Sequence, residues 1–228
     1  MDFDMDFNVL KESCLFTNIN ENDIISMLTE LQAKKVSYRN GDVIFPVGSI
    51  ADGVGLVLSG EVLFTHTDIH GHHTIFERIE PGEIFEEAHA FAQEKILIVD
   101  MVAKKNTDVL FFNTDRLLFL LKNNSNPAYN QLVSNLLKML SRKVLALKKK
   151  IKYTSPKAIR DRCLVYLYDQ AKLYESMSFD IPFNRQEMAD YLNVDRSSLS
   201  AELMKMQQEG ILLYEKNHFI LLLNEKNI

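Results

Sequence analysis

Toward the C-terminus of this 228-residue chain stands Asn184-Arg185-Gln186-Glu187, a capping box. The Asn side chain can accept from the Glu187 N–H, and the Glu carboxylate can reach back. The helix so opened reads to Leu192, Asn193 tolerates a left-handed turn, and Asp195 caps a second helix over 196–208. Met188, Leu192, Val194, Leu199, Leu203 and Met206 form one apolar set, and small Ala189 lets the two helices approach. The opposite face of the second helix carries Arg196, Ser197, Ser200, Ala201 and Lys205. Small, polar and basic side chains on one helix face suit insertion into the major groove of DNA. Ser198, with Arg185 and Gln186 of the first helix, completes the candidate DNA contacts. A helical hairpin used for protein contact is the plainer alternative. Glu202 falls at the edge of the buried face, where an apolar residue is expected.

Other reactive side chains are sparse. Cys14 and Cys163 lie far apart without a CxxC spacing, which excludes a disulfide framework and the usual zinc or iron–sulfur sites. His70, His72 and His73 sit in a hairpin loop, where strand alternation puts His72 and His73 on opposite faces, so a solvated turn is expected rather than a metal site. No Ser/His/Asp set, phosphate-cradling loop or metal triad is legible. No catalytic residue, metal or cofactor is therefore assigned, and the chain is not expected to be an enzyme.

The surrounding elements fit two functions on one chain. Net charge is −5, unevenly placed. Residues 1–114 hold 8 Lys/Arg against 19 Asp/Glu, a balance of −11; residues 115–151 hold 8 against 1, or +7; residues 152–228 hold 10 against 11, or −1. An acidic first half need not touch DNA, since attraction to phosphates depends on local patches. The acidic start and the absence of a long apolar run give no signal sequence or membrane span, and predict a cytoplasmic protein. From Val36 to about Asn113, short apolar runs alternate with turn signals. The runs are 43–45, 55–58, 62–64, 74–76, 96–99 and 109–112, and they predict a small barrel or roll. A short helix is expected over Glu21 to Lys34, capped by Asn20. Asn126-Pro127 then opens a long helix in which Val133, Leu137, Leu140, Val144, Leu147 and Ile151 form a heptad seam for pairing with another helix. Packing of that helix on its own sheet is the alternative. The basic run Lys148-Lys149-Lys150 is expected to end it, and Ser155-Pro156 to open the next helix, through Lys172. After Gly210, the runs 211–214 and 219–223 predict a hairpin wing. Three domains follow: 1–125 a sensing β-roll, 126–152 a dimerisation helix, and 153–228 a winged helix-turn-helix. The fold class is α+β.

With these residues in place the chain resembles the Crp–Fnr family of bacterial transcription regulators. The likeness is carried by Asn184 through Ile211 and by Gly41-Asp42-Val43-Ile44-Phe45, Leu58-Ser59-Gly60-Glu61 and Pro81-Gly82-Glu83-Ile84-Phe85. It implies a homodimer joined by the long helix, an effector pocket between roll and helix, and double-stranded DNA as partner. The operator would be palindromic, with half-sites roughly 34 Å apart; RNA polymerase is admitted as a further partner. On the family pattern the pocket would involve Phe85, Glu86, Glu87, His89, Leu97, Val144 and Leu145. The family's cyclic-nucleotide binders use a Gly-Glu pair for the ribose and an Arg-Ser pair for the phosphate. Here Glu86-Glu87 and Leu97-Ile98 stand at those places, so a phosphate would meet two carboxylates and no cation. A cyclic nucleotide is therefore not expected as effector. Two cysteines cannot supply the four thiolates of an Fnr-like cluster. The family's haem-based gas sensors place a ligating histidine near His89, but it aligns with Ala88, so a pocket or core histidine is preferred to haem. The family's base-reading Glu and Arg are replaced by Ser197 and Ala201, while Arg196 is retained. A different operator is expected, with Arg196 the strongest contact. Outside DNA binding, the alternative function is a ligand-binding module whose helix-turn-helix serves protein assembly.

Overall fold

The computed structural model describes residues 7–50, 53–67, 73–92, 96–123 and 126–222. It begins with α1 (Phe7–Glu12), a 3-10 turn (Cys14–Phe16) and α2 (Glu21–Glu30). Eight strands follow: β1 (Lys34–Tyr38), β2 (Val43–Phe45), β3 (Gly53–Ser59), β4 (Val62–Thr67), β5 (His73–Ile79), β6 (Ile84–Phe85), β7 (Asp100–Ala103) and β8 (Thr107–Asn113). Helix α3 (Glu87–Ala92) lies between β6 and β7. Then come α4 (Thr114–Asn123), α5 (Pro127–Thr154), α6 (Ile159–Leu173), β9 (Ser178–Asp180), α7 (Arg185–Leu192), α8 (Arg196–Gln208), β10 (Leu212–Glu215) and β11 (His218–Leu221). Two compact units result, Met1–Leu140 and Ser141–Ile228, and the boundary falls inside α5. No described helix is long and apolar enough to cross a membrane.

The first unit holds two antiparallel four-stranded sheets, ordered β1-β8-β3-β6 and β2-β7-β4-β5. The strand pleat sends Val57 and Val109 toward the second sheet, where they meet Ile44, Val62, Ile79, Met101 and Ala103. Val54, Leu56, Leu110 and Phe112 point the other way, onto Leu10, Ile24, Met27, Leu28, Tyr129 and Leu132 of the helices. Buried on both faces, β3 reads as an unbroken apolar run instead of an alternating one. Gly60 turns the chain from β3 to β4 with φ +82°, and a side chain there would strike Thr107.

Four expectations from sequence change. The first helix ends at Glu30 and not Lys34, because Gln32 takes φ +52° and Lys34 joins β1, paired with Phe111. The 96–99 run is not a strand. Leu97 alone turns inward, Ile96 makes one bridge to Ile50, and the main chain bonds Gly48 and Ser49, so the ladder begins at Asp100. The long helix continues past the lysine run to Thr154, where buried Tyr153 joins the second unit's core. Pro156 does not open α6; the helix starts at Ile159, and the Pro156 carbonyl accepts from Arg162 Nε at 2.7 Å. Two helices were unforeseen, α1 and α4. The second is capped by Asn113, whose Oδ1 accepts from the Arg116 N–H at 2.9 Å.

Helix α5 opens as its residues predict, with Asn126 Oδ1 accepting from the Ala128 N–H at 2.9 Å. Its first half faces the unit's core through Ala128, Tyr129, Leu132 and Leu136. Buried Asn135 donates to the carbonyls of Leu15 and Thr17 at 2.9 and 2.8 Å. The heptad seam is a different stripe of the same helix. Leu137, Val144, Leu147 and Ile151 on it are 49–63% exposed in the single chain.

Candidate nucleic-acid interface and effector region

The second unit builds a helix-turn-helix from local signals alone. Asn184 Oδ1 accepts from the N–H groups of Gln186 and Glu187 at 2.9 and 3.0 Å, and Glu187 Oε2 accepts from the Asn184 N–H at 2.7 Å. Asn193 ends α7 in the left-handed region, at φ 53° and ψ 56°. Asp195 Oδ2 then accepts from the N–H groups of Ser197 and Ser198, both at 3.0 Å, and from the Ser197 hydroxyl. That hydroxyl, with the Ser198 N–H behind it, holds the Asp195 carboxyl below its ordinary pKa. Met188, Ala189, Leu192, Leu199, Leu203 and Met206 are fully buried. Gly210 takes φ +73°, and β10 and β11 close the wing one residue tighter on each side than expected, with Glu215 opposite His218. The strand β9 adds to β11 as a third strand.

The outward face of α8 presents Arg196, Ser197, Ser198, Ala201 and Lys205 as exposed side chains, joined by Met204. Ser200 is part-buried, and its hydroxyl donates to the Arg196 carbonyl at 2.9 Å. Gln186 is exposed and donates to Asp190 at 2.8 Å. Arg185 is placed differently. It is half-buried, its guanidinium lies 4.9 Å over Tyr214 and 5.6 Å from Phe219, and it donates to the Lys216 carbonyl at 3.1 Å. Burial lowers its pKa. Arg185 thereby ties α7 to the wing.

Two arginines that the sequence did not single out fix the geometry. Arg160 Nε bonds Glu202 at 2.7 Å and Arg160 Nη1 pairs with Glu209, also at 2.7 Å, which accounts for a carboxylate at the edge of the buried face. Arg162 Nη1 donates to the carbonyls of Leu192 and Asn193 at 3.3 and 2.8 Å, pinning the turn to α6. Both sit in the first turns of α6, a helix whose face toward α8 could be found only once α8 was placed. Cys163 is buried beside them, its thiol pushed up to about 12 by desolvation, as an inert core thiol is.

In the first unit, Phe85 and Leu97 belong to the roll's packed core at 1% exposure. The Phe85 ring meets Phe64 and Phe111 edge-on at 6.2 and 6.0 Å and covers Gly55, where no side chain would fit. Glu86 takes φ +66°, a backbone suited to the glycine that the family pattern puts there. Its carboxylate is buried, with Oε2 3.1 Å from His89 Nδ1. Glu87 is buried as well. Val144 and Leu145, expected to complete the pocket, belong to the second unit and are exposed. His70 and His72 lie outside the described residues, as does the His73 side chain. Among the described residues, no three His, Cys, Asp or Glu side chains could hold a metal ion together.

A β-roll, a long helix and a winged helix-turn-helix in one chain define a DNA-binding transcription regulator of the catabolite-activator plan. Comparison agrees. Residues 35–124 match the cyclic nucleotide-binding domain and 161–227 the Crp-like helix-turn-helix domain. The chain belongs to the Crp–Fnr family, whose members are transcription regulators. Among solved structures it is similar to CLP of Xanthomonas campestris, described as a c-di-GMP-responsive global regulator: 19% identity over 90% of this chain and 100% of that one, TM-score 0.55. It is also similar to DNR of Pseudomonas aeruginosa, at 19% identity over 100% and 97% of the two chains, TM-score 0.50. For CprK in complex with OCPA the figures are 13% identity, 89% and 93% coverage, and a TM-score of 0.57. At these identities the likeness concerns the fold. No curated protein matches the chain.

Proposed function

We propose that the protein is a cytoplasmic, homodimeric regulator that reads a palindromic operator with α8 and is controlled by an effector other than a cyclic nucleotide. One observation carries this. The apolar side of α8 is fully buried, while Arg196, Ser197, Ser198, Ala201 and Lys205 stand together on the open side. Arg196 is the anchoring contact, Ser197 and Ala201 offer weak or apolar contacts, and Lys205 and Gln186 meet phosphate. Arg185 acts one step back, by orienting the wing. The seam of Val133, Leu137, Leu140, Val144, Leu147 and Ile151, of which Val133 and Leu140 are part-buried and the other four exposed, pairs with its copy in a second chain, which presents two recognition helices to half-sites one turn apart.

The effector is sensed in the 1–125 region and acts by binding one arrangement of the dimer more tightly than the other. Against a cyclic nucleotide stand the buried Glu86 and Glu87 where ribose and phosphate would enter, and Leu97 where a cation is needed. His89, held beside Glu86, serves as a local polar partner in preference to a haem ligand. Domain limits of 1–125, 126–152 and 153–228 describe this division of labour.

Selection of bound DNA from a random pool tests the proposal. The expected outcome is a palindromic consensus, with affinity falling steeply as salt rises through counterion release. Recovery of no consensus, or salt-insensitive association with protein only, would favour the assembly role.

A further inference from the structure

We infer a second small-molecule site in the first unit, on a cleft that none of the residues expected for the effector pocket lines. The cleft, of about 540 Å3, opens between the start of β1, the end of β8 and the first turn of α4. Its size falls within the range of ordinary ligand pockets.

The chemistry of the walls selects the ligand. Phe45 and Phe111, edge-to-face at 5.7 Å, and Ile50, 57% exposed, give an apolar floor and side. Lys34 and Arg116 stand on the same cleft, with the amides of Gln32 and Asn113. No carboxylate lines it among the described residues. Arg116 is held in place through Nε, which donates to the Glu30 carbonyl, and its positive charge also acts on the Tyr129 hydroxyl. Lys34 is exposed on the same cleft. Lys34 and Arg116 thus place two cations on one apolar cleft whose lining has no carboxylate among the described residues. The complementary ligand is a small monoanion with an aromatic or alkyl body, of the aryl- or alkyl-carboxylate class. The body would lie on Phe45 and Phe111, and the carboxylate would bridge Lys34 and Arg116. A cyclic nucleotide or a bare phosphate lacks the apolar body that this floor demands.

The site also touches the long helix. Glu30, whose carbonyl holds Arg116, accepts from the Tyr129 hydroxyl at 3.1 Å, and Tyr129 lies in the first turn of α5. A ligand drawing on Arg116 therefore acts on a contact that anchors α5 to its own unit.

The test is calorimetric titration of the full chain with phenylacetate, hydrocinnamate and octanoate, against their neutral alcohols and inorganic phosphate. At least one acid should give saturable heat at one site per chain, with its alcohol weaker by about tenfold or more. Lys34→Glu and Ile50→Glu, both at exposed positions, should weaken that acid by a similar factor, whereas Lys104→Gln should not. Thermal melts check that the variants remain folded. Absence of saturable heat with all three acids overturns the site. So does equal binding of acid and alcohol, equal binding of phosphate, or indifference of the acid to both Lys34→Glu and Ile50→Glu. None of these results depends on DNA binding, so failure here leaves the DNA-reading role standing.

Discussion

Arg196 owes its position to its neighbour. The Asp195 carboxylate caps α8 and holds Ser197 and Ser198, which leaves Arg196 as the first helical residue, exposed and turned away from the core. If it reads a guanine bidentately, Arg196→Ala should weaken the selected operator by about 1–3 kcal/mol and relax preference at one base pair. Quantitative gel-shift competition on single-base variants measures both. Equal weakening on every sequence would instead mark a phosphate contact. The cap itself is pH-dependent. A carboxylate whose folded pKa is depressed adds stability above its unfolded pKa and loses it as pH falls through the folded value. Melting temperature should therefore drop on acidification below the ordinary carboxylate range, and Asp195→Asn, which can still cap, should lack that component. Asn193 is equally local. Its left-handed backbone makes Asn193→Val cost about 1–2 kcal/mol in urea unfolding, while Asn193→Gly should be close to neutral.

Between elements, the long helix shows two stripes, one packed and one open. Tyr129, Leu132 and Leu136 hold it to its own unit, and Leu137, Val144, Leu147 and Ile151 are left open. The heptad spacing made the open stripe legible in sequence, and the alternative of packing on the chain's own sheet proves true of the neighbouring stripe instead. The double substitution Leu147→Glu and Ile151→Glu places like charges along the proposed seam and removes no contact within the chain's buried core. Sedimentation should show a monomer, and operator binding should be lost with unchanged helicity. A dimer that persists would move the interface elsewhere. The helix-turn-helix was legible residue by residue because its signals lie within a few positions of each other, from the capping box to the asparagine turn. What stayed hidden depends on distant partners. Arg160 meets Glu202 across 42 positions, Arg162 meets Asn193 across 31, and Leu97 turns inward only because Gly48 and Ser49 offer it main-chain partners. Arg185, a candidate DNA contact in the sequence, lies over Tyr214 and Phe219 of a wing whose approach no local pattern announces.

Across the whole molecule, charge is divided along the chain. The acidity sits in 1–114 and the positive excess in 115–151, so a chain of net charge −5 can still carry a DNA-attracting middle segment. The same distribution bears on the proposed effector. A cyclic nucleotide entering the roll by the family's route would bring its phosphate to a region with buried Glu86 and Glu87, and to Leu97 in place of a guanidinium. The roll's interior there is already filled by the Phe85 ring against Gly55. Even without a steric barrier, a buried anion facing carboxylates and no cation is disfavoured by several-fold more than a surface pair, because the local dielectric is low. Since an effector shifts a two-state equilibrium only by its difference in affinity, a nucleotide that does not bind cannot drive the switch. Titration with cyclic AMP to millimolar concentration should give no saturable heat and no change in operator affinity. Stoichiometric binding would mean that Glu86, with its backbone at φ +66°, gives way to open the nucleotide route. The double variant Glu86→Gly and Leu97→Arg, which restores the family's glycine and cation, should by the same electrostatics move the protein toward nucleotide binding.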